Sequence, residues 1–359
     1  MIASLLIALL FQAADPAERS FRSGEGYASD KTQMDAVVGQ SGGHPAPGSS
    51  AASLPTSPPV ALVCPHDDHA LAGPVYLPVM ERVTAPRLIL LGVAHKAWKW
   101  NVKDVLIFDE HIAWDGPMGK IPVDRLLRGE LMKALAPEDV LISNEHHAEE
   151  HSLEAFVPWL QREDPEAAIV PILVPAMPWE RMEELTGRLA AALARIAKSE
   201  GWILGRDLQI LISNDAVHYG DQGWGGKNHA PYGVGIEGLT KATANDRRLI
   251  EAYLTGPIRP GRLKKFLFEL VDETDPSLQT YKVTWCGRFA IPFGLEFTRR
   301  LAERMGMPDP EGRLLAYSTS VELGQLEVKD LPPTAPSNLH HWVGYAAMAW
   351  WMPPSSGGK

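Results

Sequence analysis

Cysteine is scarce in this chain. Cys64 and Cys286 are the only two among 359 residues, too few for a disulfide-built scaffold. They can bridge each other, or one can serve as a ligand. Clustered basic residues are missing as well. The chain carries 34 Lys and Arg against 44 Asp and Glu, a formal net charge of -10. Binding to a phosphate backbone needs grouped cations, so nucleic acid is excluded as a partner. The apolar run Ile2–Phe11 is too short to cross a bilayer as a helix. With Ala13 and Ala14 after it, residues 1–14 have the pattern of a secretion signal, although no Lys or Arg precedes the run. Export to the periplasm or the outside is the favoured expectation, cytoplasmic residence the alternative, with no membrane span in the mature chain. Neither a heptad pattern nor an internal repeat occurs.

What is present is an ordinary globular composition, 45% apolar, enough for a sizeable core. Residues 15–59 are rich in Ser, Gly, Ala, Asp and Pro, and Gly39–Pro59 has the composition of a flexible linker. A single domain is therefore expected over residues 60–352, followed by a tail at 353–359. Within it, Val60–Cys64, Arg87–Gly92, Ala168–Val174 and Leu208–Ser213 are short, continuously apolar runs. That pattern predicts strands covered on both faces. Glu180–Ser199 is amphipathic, with Leu185, Leu189, Leu193 and Ile196 on one stripe. Arg125–Leu135 and Ser152–Arg162 also read as helices. Alternation of this kind predicts an α/β fold with a largely parallel or mixed sheet flanked by helices. The Pro- and Trp-rich segment from Pro332 onward is expected to pack against that domain.

Polar residues follow the predicted strands closely. His66 comes just after the first, His95 after the second, and Asp215 with His218 after Leu208–Ser213. Cys286 follows Tyr281–Trp285, which also reads as β-like. Ligand sites in open α/β sheets lie beyond the carboxyl ends of strands. His, Cys and Asp are transition-metal donors. Each of these residues alone is ordinary loop or core material; their coincidence at four strand ends points to one metal-binding rim. A second cluster, Glu145–Glu154, contains His146, His147, Glu149, Glu150 and His151. It reads either as a solvated helix start or as the source of an active-site acid, base or ligand neighbour, His151.

Several segments resemble the Memo family, which includes the AmmeMemoRadiSam system protein B. Pro65-His66 with Ala72-Gly73 is similar to the family's Pro-His-Ala-Gly-Tyr segment. Leu91–His95 resembles its Gly-Pro-Ser-His turn, and Trp114–Asp124 its Trp-x-Thr-Pro-Leu-Gly stretch. Glu150–Glu154 with Pro158-Trp159-Leu160 is similar to its Glu-His-Ser-Leu-Glu helix. Ser213–Gly220 resembles its Ser-Ser-Asp-Phe-x-His-Tyr-Gly loop, and Cys286-Gly287 its Cys-Gly pair. The resemblance runs from about Val60 to Trp350. It implies a fold like that of class III extradiol, non-haem iron dioxygenases. It implies metal ligands at His66, His95 and Cys286, with His218, His151 and Asp215 as catalytic groups in the same pocket. Iron or copper is the implied metal, with zinc less favoured, and the implied activity is an oxidoreductase on a small molecule.

The sequence departs from the family where Asp67, Asp68 and His69 follow His66. Loop capping by an Asp is the simpler account; a richer ligand set of two His and a carboxylate is the other. His66-Asp67-Asp68 also has a partial likeness to the His-Pro-Asp-Asp of zinc deacetylases, which gives a zinc-dependent hydrolase as an alternative. A non-catalytic protein that sequesters metal, or binds a peptide or small ligand beside Trp98, Trp100 and Trp224, is the third.

Overall fold

The structure is a computed structural model describing residues 18–22, 26–43, 54–164 and 166–353. The signal-like residues 1–14 lie outside them. The main sheet has ten strands: β1 (Ala61–Cys64), β2 (Arg87–Val93), β3 (Leu106–Phe108), β4 (Val140–Ile142), β5 (Ala168–Val174), β6 (Gln209–Ser213), β7 (His218–Gly220), β8 (Gly256–Pro257), β9 (Glu311–Thr319) and β10 (His341–Trp351). Their order is β8-β9-β10-β1-β6-β2-β5-β3-β4, with β7 paired to β10. The four runs expected as strands are the parallel centre, β1-β6-β2-β5. Antiparallel strands flank that centre on both sides.

Continuous apolarity in these strands is explained by two cores. Ala61 and Val63 of β1 face one layer; Leu62 and Cys64 face the other. The first layer is covered by α3 (Trp179–Glu200) and α4 (Ala290–Arg304), numbered after α1 (Lys31–Gly43) and α2 (His69–Met80). Here α4 lies so close to the sheet that a Cβ on Gly294 would stand 2.6 Å from Ile212 Cδ1. On the other face α1 packs against α2, and Met34 and Val37 of α1 are fully buried.

Two expectations need correction. Residues 15–59 are not linker throughout. Glu18–Arg19 pairs in parallel with Ala113–Trp114, Tyr27 reaches the interior, and α1 runs through Gly43. The small residues of α1 let it lie close to α2, where Gly73 approaches Ser41 and Val37. Tyr281–Trp285 is not a strand either. It holds its place through isolated bridges, Tyr281 to Val271 and Trp285 to Val217. The segment after Pro332 does more than pack on the domain: it supplies β10, buried along all 11 residues. No helix of the described residues is long and apolar enough to cross a membrane.

His69 is a structural residue. Its Nδ1 accepts from the Ala28 amide at 3.1 Å, so Nε2–H donates to the Ala155 carbonyl at 2.9 Å. Burial lowers its pKa to about 4. The native state therefore keeps His69 neutral while the unfolded chain protonates near pH 6.5. The stability this confers is complete above that value and is lost as pH falls toward 4. Between pH 7.5 and pH 5 the change amounts to about 2 kcal/mol. Urea unfolding of His69→Gln at the two pH values should show a difference smaller than wild type by that amount. An unchanged difference would contradict it.

Candidate metal centre

The strand ends build the site. Cys64 and Ser213 are register partners on neighbouring parallel strands, so the loops after β1 and β6 emerge together. The His66 amide donates to Asp215 Oδ1 at 2.9 Å, which ties one loop to the other. Ser213 Oγ donates to the Ser152 carbonyl at 2.7 Å and so accepts from His66 Nδ1, also at 2.7 Å. This fixes the imidazole with its Nε2 facing the site, 3.3 Å from Asp215 Oδ2.

His95 is held by one carboxylate twice over. Glu150 Oε1 accepts from His95 Nδ1 and Oε2 from the His95 amide, both at 2.8 Å. The same Oε1 accepts the amides of His151 and Ser152, each at 2.9 Å. His95 Nε2 is thereby aimed at Cys286 Sγ, 3.2 Å away. Such a carboxylate–imidazole pair fixes the tautomer and raises the basicity of a ligand nitrogen. His151 stacks on the His95 ring at 4.6 Å between centroids.

Cys286 is positioned by the Asn214–Asp215 loop. Its amide donates to the Asp215 carbonyl at 3.0 Å, and the next amide, of Gly287, donates to Asn214 Oδ1 at 2.9 Å. A Cβ at position 287 would lie 2.6 Å from that oxygen, which is why glycine follows the cysteine. His218 has its Nδ1 against the carbonyls of Thr284 (3.1 Å) and Ala216 (3.2 Å), leaving Nε2 3.5 Å from Cys286 Sγ.

Among the described residues three overlapping donor groups result: His66, His95 and Cys286; Asp215, His218 and Cys286; and His95, Glu150 and His151. Within each, one ligand atom per residue lies within 4.8 Å of the others. The first two groups open into a cavity of about 1070 Å³. Charge is strongly coupled here. Burial opposes ionisation of Cys286, but His218 and His95 outweigh it and pull the thiol well below its ordinary range. Burial would keep His218 neutral, yet the Cys286 charge raises it to about 9. His95 goes well up in spite of burial, chiefly through Glu150. Burial, then the charge on His95, lowers His151 to about 3. Burial raises Asp215 to about 6, with His66 opposing. These surroundings favour the thiolate form of Cys286, the form in which a cysteine binds metal.

A family model for Memo-like proteins matches residues 19–328. The chain belongs to the Memo-like family. Its relatives include a MEMO1 family protein of Thermotoga neapolitana, 32% identical over 46% of this chain and 55% of that protein. Another, from Pyrococcus abyssi, is 24% identical over 74% of this chain and 81% of that protein. A third, from Aquifex aeolicus, is 30% identical over 45% of this chain and 55% of that protein. The first and third alignments thus span about half of the relatives' own length. Among solved structures, an uncharacterised Escherichia coli K12 protein superposes with a TM-score of 0.41 at 14% identity, covering 79% of this chain and 98% of that one.

In this Memo-like chain all six residues singled out from sequence, His66, His95, Cys286, His218, His151 and Asp215, line one cavity. The departures after His66 do not enlarge the ligand groups found among the described residues. Asp67 accepts from Tyr345 Oη at 2.6 Å and from the Asp68 amide at 2.8 Å. Asp68 binds the amide and hydroxyl of Thr334. His69 turns into the core. Loop fixing, the simpler account, describes both aspartates, although they also line the cavity. Cys64 and Cys286 are both free. Sequence reasoning did not assign Glu150 its role as the holder of His95, nor Ser213 as the partner of His66. Tyr27 and Arg288, which line the same cavity, went unnoticed. A fixed spacing of Glu150 directly before His151 was the one available signal.

Proposed function

We propose that this protein binds one redox-active ion, iron or copper, through His66 Nε2, His95 Nε2 and Cys286 Sγ, and acts as an oxidoreductase on a small molecule. The observation that carries this reading is the donor set itself. Two imidazoles, each with its second nitrogen already hydrogen-bonded, converge with a thiolate. Three protein donors beside a large cavity leave room for a further ligand, as in catalytic rather than closed structural sites. Such an ion, when bound, supplies one-electron chemistry and a site for O₂ or a chelating substrate.

The chain's own residues do the rest. Glu150 and Ser213 orient the two ligand rings. His218 presents Nε2 to the reacting region with Nδ1 anchored on carbonyls, the geometry of a group that takes or gives a proton. His151, kept neutral by burial, offers a second acceptor. Asp215 spans His66 and the Cys286 amide and so couples the two ligand loops.

A zinc hydrolase built on His66-Asp67-Asp68 is disfavoured, because the Asp67 and Asp68 carboxylates are engaged by Tyr345 and Thr334. Elemental analysis of anaerobically purified protein should find close to one equivalent of iron or copper. His66→Ala and Cys286→Ala should lose it, whereas His218→Ala should keep the metal and lose the spectral response to O₂. Zinc as the bound metal with no response to O₂, or full metal retention in both ligand variants, would overturn the proposal.

A further inference from the structure

Arg288, two residues beyond Cys286, lines the cavity and is incompletely satisfied. Its Nη2 donates to Tyr281 Oη at 2.9 Å, and the guanidinium lies 4.1 Å from the Tyr281 ring centroid. Nη1 reaches the carbonyls of Trp285 and Cys286 only at 3.4 and 3.5 Å, the outer edge of hydrogen-bond range. Nε is buried and has no hydrogen-bond partner among the described residues.

Arginines buried more deeply than Arg288 are treated differently. Arg19 is paired with Glu154 and Arg128 with Asp109. Among the described residues no carboxylate comes within ion-pair distance of Arg288. A partly buried guanidinium without an anion has spare N–H donors, and these are a ready receptor for one.

The cavity narrows the choice of anion. Asp67, Asp68 and Asp215 line the same space and offset Lys227 and the histidines there, so the cavity has no excess of positive charge for a multiply charged anion. A carboxylate carries a single charge and two oxygens spaced for a guanidinium. The apolar face of Tyr281 against Arg288, with Trp98 nearby on the rim, suits a flat body attached to it.

We propose that Arg288 is the specificity-determining residue of this cavity and takes the carboxylate of a small organic acid. The inference deepens the metal-centre reading and rests on the cavity being a ligand site. Calorimetric titration of the full chain with benzoate, its uncharged counterpart benzamide, and inorganic phosphate tests it. Wild type should prefer benzoate over benzamide by at least about tenfold, the effect of one charge-assisted hydrogen bond. Arg288→Gln should erase that preference. Arg288→Lys should keep part of it, since the charge remains and the fork is lost. A preference that survives in Arg288→Gln, or is missing in wild type, overturns the assignment. Tighter binding of phosphate than of benzoate overturns the carboxylate class. Metal content measured on the same samples separates the two readings. Loss of preference with metal retained supports the ligand role. Loss of metal in Arg288→Gln would make Arg288 a counterion of Cys286 and overturn it. Wild-type protein without metal that still prefers benzoate would sink the metal reading alone.

Discussion

Arg19→Met should destabilise the protein by about 3–5 kcal/mol, the usual result of leaving one buried charge without its partner. Arg19 and Glu154 are essentially inaccessible, and their ion pair is 2.8 Å long. The guanidinium also donates to the carbonyls of His147 and Glu150 and lies over the Trp114 ring at 4.4 Å. Removing it takes the ion-pair partner from Glu154 Oε2, while the Arg22 amide still donates to Oε1. Arg19→Met/Glu154→Leu removes both charges and should recover much of the loss. Urea denaturation of the single and double variants measures this. Equal destabilisation by both would show that packing on Trp114, not the charge, dominates. The effect is not confined to stability, because Arg19 grips the carbonyl of Glu150 itself. Loosening the N-terminal strand should therefore also loosen the carboxylate that holds His95.

The second large effect concerns that carboxylate directly. Glu150→Gln should weaken metal binding by roughly 10–100-fold, as found for partners of metal-ligating histidines. Four N–H groups converge on the Glu150 side chain: two amides and the His95 ring nitrogen on Oε1, and the His95 amide on Oε2. A glutamine amide has only one oxygen, so its NH₂ must meet donors. It also removes the negative charge that favours a basic His95. Glu149→Gln, one residue earlier and half-exposed, should leave affinity unchanged. Competition titration against a chelator compares the three proteins. Wild-type affinity in Glu150→Gln would remove the carboxylate from the site's working parts.

These two residues show where sequence reading stops. β1, β2, β5 and β6 were legible because burial on both faces makes a strand continuously apolar. The residues just beyond them followed, since topology alone sends strand ends to one rim. Cys286 reaches the same cavity by a route other than the expected strand end. The alternation in Tyr281–Trp285 resembles a strand, but two isolated bridges and the Asn214–Asp215 loop fix it instead. Arg19 looked like part of a polar linker, because its partner lies 135 residues away and nothing local marks it as buried. Glu150 was one acid among several in Glu145–Glu154, and only the fold distinguishes the buried Glu150 from the half-exposed Glu149. β10 was missed because Trp, Ala and Gly beyond a proline-rich stretch carry no periodicity when both faces are covered.

The place of β10 has a consequence for synthesis. Residues 341–351 insert between β9 and β1 and also pair with β7, the strand that begins with His218. The central sheet cannot be completed until residue 351 has left the ribosome. Until then β1 and the cysteine that ends it present an open edge, a template for pairing with another chain. Folding to the closed sheet, and with it assembly of the rim that bears His66 and His218, therefore waits on residues 341–351.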